Sequence, residues 1–142
     1  MKLVVLCLFA VYCFSLANTT PLTRRKLEEV LRQLSEVKES LQHSDKMLSA
    51  PPENIEDCCC LSALSCFRAN LNLHFNITEK KQKKLYKSLN SSITERGLNF
   101  CNPGSDTATC QDCDLHPKVN VQEFFKSLES LIQRAITKLT MK

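Results

Sequence analysis

The chain has only two glycines. That scarcity weighs against a β-rich fold built on many tight turns. It has no Gly-rich phosphate loop, no His-Glu-x-x-His and no Gly-x-Ser-x-Gly, which removes the enzyme classes that rest on those motifs. His43, His74 and His116 stand isolated in polar contexts, and no nucleophile is set beside a base. The sequence therefore predicts neither an enzyme nor a cofactor or metal. A net charge of +4 is too mild to imply a nucleic-acid partner. No internal repeat or low-complexity tract is present, and no apolar run beyond the N-terminus is long enough for a bilayer.

The N-terminus does carry a short apolar run. Lys2 precedes the almost wholly apolar Leu3 to Phe14, and Ser15-Leu16-Ala17 has the small-x-small form of a cleavage site. Residues 1–17 read as a secretory signal peptide. The rival, a membrane anchor, is disfavoured by the length of the run. The expected product is one domain, residues 18–142, secreted, extracellular and not membrane-inserted. Of nine cysteines, Cys7 and Cys13 leave with the leader. Cys58, Cys59, Cys60, Cys66, Cys101, Cys110 and Cys113 remain. Seven is odd, so one thiol is left free or pairs between chains. Secretion suits disulfides. Cys59 and Cys66 are seven residues apart, which puts them on one helix face about 10 Å from each other. A Cys-x-x-Cys connector laid along that face, here Cys110 and Cys113, reaches both. A zinc site from Cys58, Cys60, Cys110 and Cys113, with His116, is the rival, disfavoured in a secreted chain. Asn-x-Ser/Thr sequons stand at Asn18, Asn76 and Asn90. Asn76 and Asn90 are the expected glycan sites, and Asn18 is the poorest acceptor.

Four amphipathic segments are expected. Leu22, Leu27, Val30, Leu31, Leu34, Val37, Leu41 and Leu48 mark a helix A over about Pro21 to Met47, with Pro21 limiting it backwards. Pro51 and Pro52 break the chain. Asp57 is a candidate N-cap for helix B, Cys58 to about His74, whose stripe is Leu61, Leu64, Phe67, Leu71 and Phe75. Thr78 to about Ile93 reads as a short, polar helix C with Thr78 as its cap. Glu95 to Val119 reads as a long loop, suspect unless tied down, and cysteines are at hand to tie it. Asn120 to Thr140 is helix D, with a broad apolar face from Val121 to Leu139. Two long connections among four helices predict an all-α, up-up-down-down, short-chain four-helix bundle.

Three sequence blocks carry a family resemblance. Pro52-Glu53-Asn54-Ile55-Glu56-Asp57-Cys58-Cys59 leads into Leu61-Ser62-Ala63-Leu64-Ser65-Cys66-Phe67. Thr109-Cys110-Gln111-Asp112-Cys113-Asp114 is the second, and Glu123-Phe124-Phe125 the third. These resemble the interleukin-2/15/21 family of short-chain cytokines, with the interleukin-21 branch most similar. The resemblance implies disulfides Cys59–Cys110 and Cys66–Cys113. It leaves Cys101 as an extra cysteine for either Cys58 or Cys60. It also implies a monomer that binds a private receptor chain through helices A and C and the common gamma receptor chain through helices A and D, triggering lymphocyte signalling.

On that resemblance Gln133 and Ile136 match common-gamma contact positions and Gln33 a contact position on helix A. Arg32 stands where the family has an acidic residue. Arg24, Arg25, Glu28 and Glu29 are candidate outward contacts. The basic run Lys80, Lys81, Lys83, Lys84 and Lys87 is a candidate private-receptor or sulfated-glycan contact, or else a solvated face. An interleukin-2-like or interleukin-15-like cytokine is the nearest alternative. A secreted cationic glycan-binding or host-defence protein is the alternative from another class.

Overall fold

The computed structural model describes residues 19–76, 78–100 and 110–140. The expected signal peptide and Cys101 lie outside these residues. Five helices and two short strands are present among them: α1 (Thr19–Ser40), β1 (Met47–Ser49), α2 (Cys60–His74), α3 (Lys80–Leu89), α4 (Ser92–Leu98), β2 (Lys118–Asn120) and α5 (Val121–Thr140). Single 3₁₀ turns at Asp57–Cys59 and Cys113–Leu115 lead out of the connections.

The contacts fix the direction of each helix. The end of α1 and the start of α5 meet at the antiparallel β1–β2 pair, in the register Met47 to Asn120 and Leu48 to Val119. Helices α1 and α5 are therefore antiparallel. Asp57, before α2, reaches Arg134 and Lys138 near the end of α5, while Phe75, after α2, packs on Phe124 and Phe125 at its start. Helices α2 and α5 are antiparallel too. Arg32 and Glu36 of α1 face Lys84 and Lys87 of α3, and Gly97 of α4 lies on Thr23 and Leu27. The third limb therefore runs back down α1. The order is up-up-down-down with two long crossovers: an all-α four-helix bundle.

The core follows the apolar spacing. Leu27, Val30, Leu34 and Val37 of α1 meet Leu64, Phe67 and Leu71 of α2, Leu85 and Leu89 of α3, and Phe124, Leu128 and Ile132 of α5, all buried. Gly97 allows a close approach. A Cβ there would stand 3.0 Å from Thr23 Cγ2 and 3.1 Å from Leu27 Cδ1.

Several local expectations are corrected. Helix α1 begins at Thr19, upstream of Pro21, because proline in a first turn forfeits an N–H that had no partner there. It ends at Ser40 rather than near Met47, and Met47–Ser49 is a strand. Asp57 is not a side-chain cap; Glu56 precedes the 3₁₀ turn and makes no side-chain cap bond. Glu79, not Thr78, caps α3, accepting from the Gln82 amide at 3.0 Å. Helix C is interrupted at Asn90, and Ser91 caps a separate α4 with its hydroxyl at 3.3 Å from the Ile93 amide. Residues Glu95 to Leu98, expected as loop, belong to that helix.

Candidate functional site

The loop that carries Cys110 and Cys113 is fastened to α2 by two bridges. Cys59 is bonded to Cys110 and Cys66 to Cys113, with Cα–Cα separations of 5.5 and 5.3 Å. The 3₁₀ turn at Cys113 and the two-turn spacing on α2 bring the sulfurs into register. Cys58 is disulfide-bonded as well. Cys60 is free and fully buried, so it is not the partner of an extra cysteine. Burial pushes its thiol pKa up, with Arg134 nearby opposing that shift. Asn70 is buried beside the second bridge and donates to the Cys66 carbonyl at 3.0 Å.

Two edges of the bundle carry the candidate contacts. On α1, Leu27, Val30, Leu34 and Val37 face the core. At 100° per residue, Arg24 and Glu28 then fall toward the α5 side, Arg25 and Arg32 on the outer crest, and Glu29 and Gln33 toward α3. Arg24 Nε pairs with Glu28 at 3.2 Å, and Glu29 pairs with Lys26 at 3.5 Å.

The α1/α3 edge holds a cavity of about 370 Å³ between Glu29, Arg32, Gln33 and Glu36 on one side and Lys84 and Lys87 on the other. Gln33 is 8% exposed and lines this cavity. Its Nε2 donates to Glu29 at 3.4 Å, and its buried Oε1 has no partner among the described residues. Lys80, Lys81, Lys83, Lys84 and Lys87 are all exposed.

The α1/α5 edge presents Gln133, exposed, with Nε2 donating to Glu129 at 3.3 Å. Ile136 shares its face but is half buried against the core. Of the two expected glycan sites, both side chains are exposed. Asn90 Oδ1 accepts from Arg68 at 3.1 Å, and Asn76 Oδ1 accepts from the Thr78 amide at 3.1 Å.

One anchor of the first crossover was not legible as such. Asp57 accepts from Arg134 Nη2 at 2.8 Å and from Lys138 Nζ at 2.9 Å. Arg134 also donates to the Ile55 carbonyl at 2.7 Å. The first crossover is thereby tied to the last turns of α5, next to Gln133. The hydrogen bond from Lys138 holds the Asp57 pKa below its usual 3.8, with both cations helping and burial opposing. A depressed folded-state pKa gives stability that is present above the unfolded value and lost as pH falls through the folded one. Asp57→Asn is expected to lower neutral-pH stability by no more than about 1 kcal/mol, because solvent screens these partly exposed groups. The gap between wild type and variant should close as pH drops below 3.8. Thermal melts at pH 7 and pH 3 check this, and a gap that persists unchanged at acid pH would refute it.

No described helix is long and apolar enough to cross a membrane, and no cluster of three or more metal-ligating side chains occurs among the described residues. A family model described as interleukin 15 matches residues 7–137. The chain belongs to the interleukin 15 family. It is a cytokine of the interleukin-2/15 type and not an enzyme.

Proposed function

We propose that this cytokine is secreted after loss of residues 1–17 and bridges two receptor chains. The α1/α3 edge takes a private receptor. The α1/α5 edge takes the common gamma chain. Bringing the receptors together starts intracellular signalling in lymphocytes, in the manner of interleukin-21. The observation that carries the reading is the α1/α3 cavity lined by Glu29, Arg32, Glu36, Lys84 and Lys87, with Gln133 standing exposed on the other edge. One bundle thereby offers two separate surfaces at fixed geometry, and rigid presentation limits the ordering cost of binding. Arg24, Arg25, Glu28, Glu29, Arg32 and Lys84 supply charge around these surfaces, and Ile136 supplies an apolar neighbour to Gln133. Charges of this kind set on-rate and partner choice more than affinity.

The test is binding of the oxidised protein to the common gamma ectodomain paired in turn with the interleukin-21 and interleukin-2 receptor chains. The expected result is a ternary complex with the interleukin-21 receptor. Gln133→Ala should weaken the gamma-chain step by about 2 kcal/mol, roughly thirtyfold, and leave private-receptor binding intact. A complex formed only with interleukin-2 receptor chains would move the cytokine to interleukin-2-like or interleukin-15-like use. No complex with any of them would overturn the receptor mechanism.

A further inference from the structure

Helix α3 is KKQKKLYKSL, with five lysines and no acidic residue. Leu85 and Leu89 are fully buried and fix its inner face. At 100° per residue, Lys80, Lys83, Lys84 and Lys87 fall within one arc of about 100° on the opposite side. At 1.5 Å per residue they form a line about 10 Å long. All are exposed. None belongs to an ion pair among the described residues. On helix α1, by contrast, Arg24 and Lys26 are paired to Glu28 and Glu29.

This arrangement opposes helix stability. Lys80/Lys83, Lys80/Lys84, Lys81/Lys84, Lys83/Lys87 and Lys84/Lys87 are like charges at i,i+3 or i,i+4, which repel. Lys80 and Lys81 also sit in the first turn, at the end of the helix dipole that favours anions. We propose that the outer face of α3 is a binding site for a sulfated polysaccharide, meeting the receptor edge only at Lys84 and Lys87.

The chemistry of the stripe selects this partner. A membrane-surface helix presents an apolar face to the bilayer, but the apolar face of α3 is consumed by the core. A protein interface of high affinity is anchored by aromatic side chains and arginine, and lysine is depleted in it. The stripe holds lysines alone, and Tyr86 is half buried on the inner side. A row of flexible, hydrated point charges suits a linear polyanion, whose binding releases counterions and needs no pocket. The inference rests on the extracellular reading for access to such glycans, but its test does not depend on the receptors.

Lys84 and Lys87 also border the α1/α3 cavity; Lys80 and Lys83 do not line it. The test therefore uses Lys80→Gln/Lys83→Gln, measured against Lys118→Gln/Lys126→Gln. The second pair makes the same charge change at exposed positions on β2 and α5. Circular dichroism verifies that both stay folded. The expected result is that the wild type is retained on immobilised heparin at about 0.15 M salt. The α3 variant should lose about tenfold in affinity for a heparan sulfate oligosaccharide and show a shallower salt dependence. The control pair should lose less than twofold. Equal losses in both variants would mean diffuse charge, and would overturn the proposal. So would wild-type affinity that is unchanged when the heparin is desulfated, or that is matched by duplex DNA. Unimpaired receptor binding by the α3 variant would keep this result apart from the fate of the receptor reading.

Discussion

Phe124→Ala is expected to destabilise the protein by about 3–5 kcal/mol. Phe124 is fully buried. Its ring stands edge-on to Phe67 at 5.2 Å and to Phe125 at 5.4 Å, with Phe75 at 6.2 Å. This group joins the second half of α2 to the first turn of α5. Truncation removes the transfer energy of a large apolar side chain and leaves a void that three other rings can only partly fill. Edge-to-face contacts add about 0.5–1.5 kcal/mol per pair beyond area. The melting temperature should fall by about 10–20 °C, read by far-ultraviolet circular dichroism, and Phe124→Leu should restore more than half of the loss. A fall of only about 2 °C for the alanine variant would mean that the ring group is not central to the bundle.

The second large effect is expected from Cys66→Ala/Cys113→Ala. Taken alone, a bridge across 47 residues corresponds to about 4 kcal/mol in the chain-entropy model. It is not alone. With Cys59–Cys110 closed, the path between Cys66 and Cys113 in the unfolded chain runs only from Cys66 back to Cys59, 7 positions, and from Cys110 to Cys113, 3 positions. A loop of that size gives about 3 kcal/mol. Cys58 forms a further bridge, which limits the unfolded chain more, so this figure is a ceiling. Chemical denaturation should place the loss at about 2–3 kcal/mol. A loss near the isolated-loop value would show that the bridges act independently and that the nested-path argument is wrong.

The parts of the fold that were readable are those encoded by near neighbours. The apolar face of α5 runs unbroken from Val121 to Leu139, and its observed start lies one residue from the expected one. Asn120 marks that start, its Oδ1 accepting from the Glu123 amide at 2.8 Å. The parts that were missed depend on residues far apart in the chain or on very short elements. Strands β1 and β2 have three residues each, too few for an alternating pattern to register. Asp57 and Arg134 are 77 residues apart, and Asp57 placed before a helix has the same local appearance as a cap. Gln33 is polar and flanks the apolar face of α1, so the sequence gives no sign of its burial. Only the approach of α3 covers it. The break at Asn90 is subtle because Leu85, Leu89 and Ile93 continue one stripe across it. Thr94, buried and donating to the Ser88 carbonyl at 2.6 Å, is what fastens the turn. The choice among sister cytokines was the least legible part, since it turns on a few exposed side chains on a shared bundle.

The β1–β2 pairing has a consequence for how such a chain can vary. It fastens the first crossover to the second, and Ala50 adds a bond to the Pro117 carbonyl at 3.1 Å. Slack in the first crossover is then confined to residues 41–46, between the end of α1 and the first paired residue. Lengthening a surface segment costs only about 0.6 kcal/mol per doubling. Insertions or a fused tag near His43 would therefore be absorbed there, while a single residue added between Leu48 and Asp57 would have to shift the ribbon, the prolines or the Arg134 anchor. Divergence in this lineage should accordingly collect at the tip of the bundle and spare the stretch that holds its two edges in place.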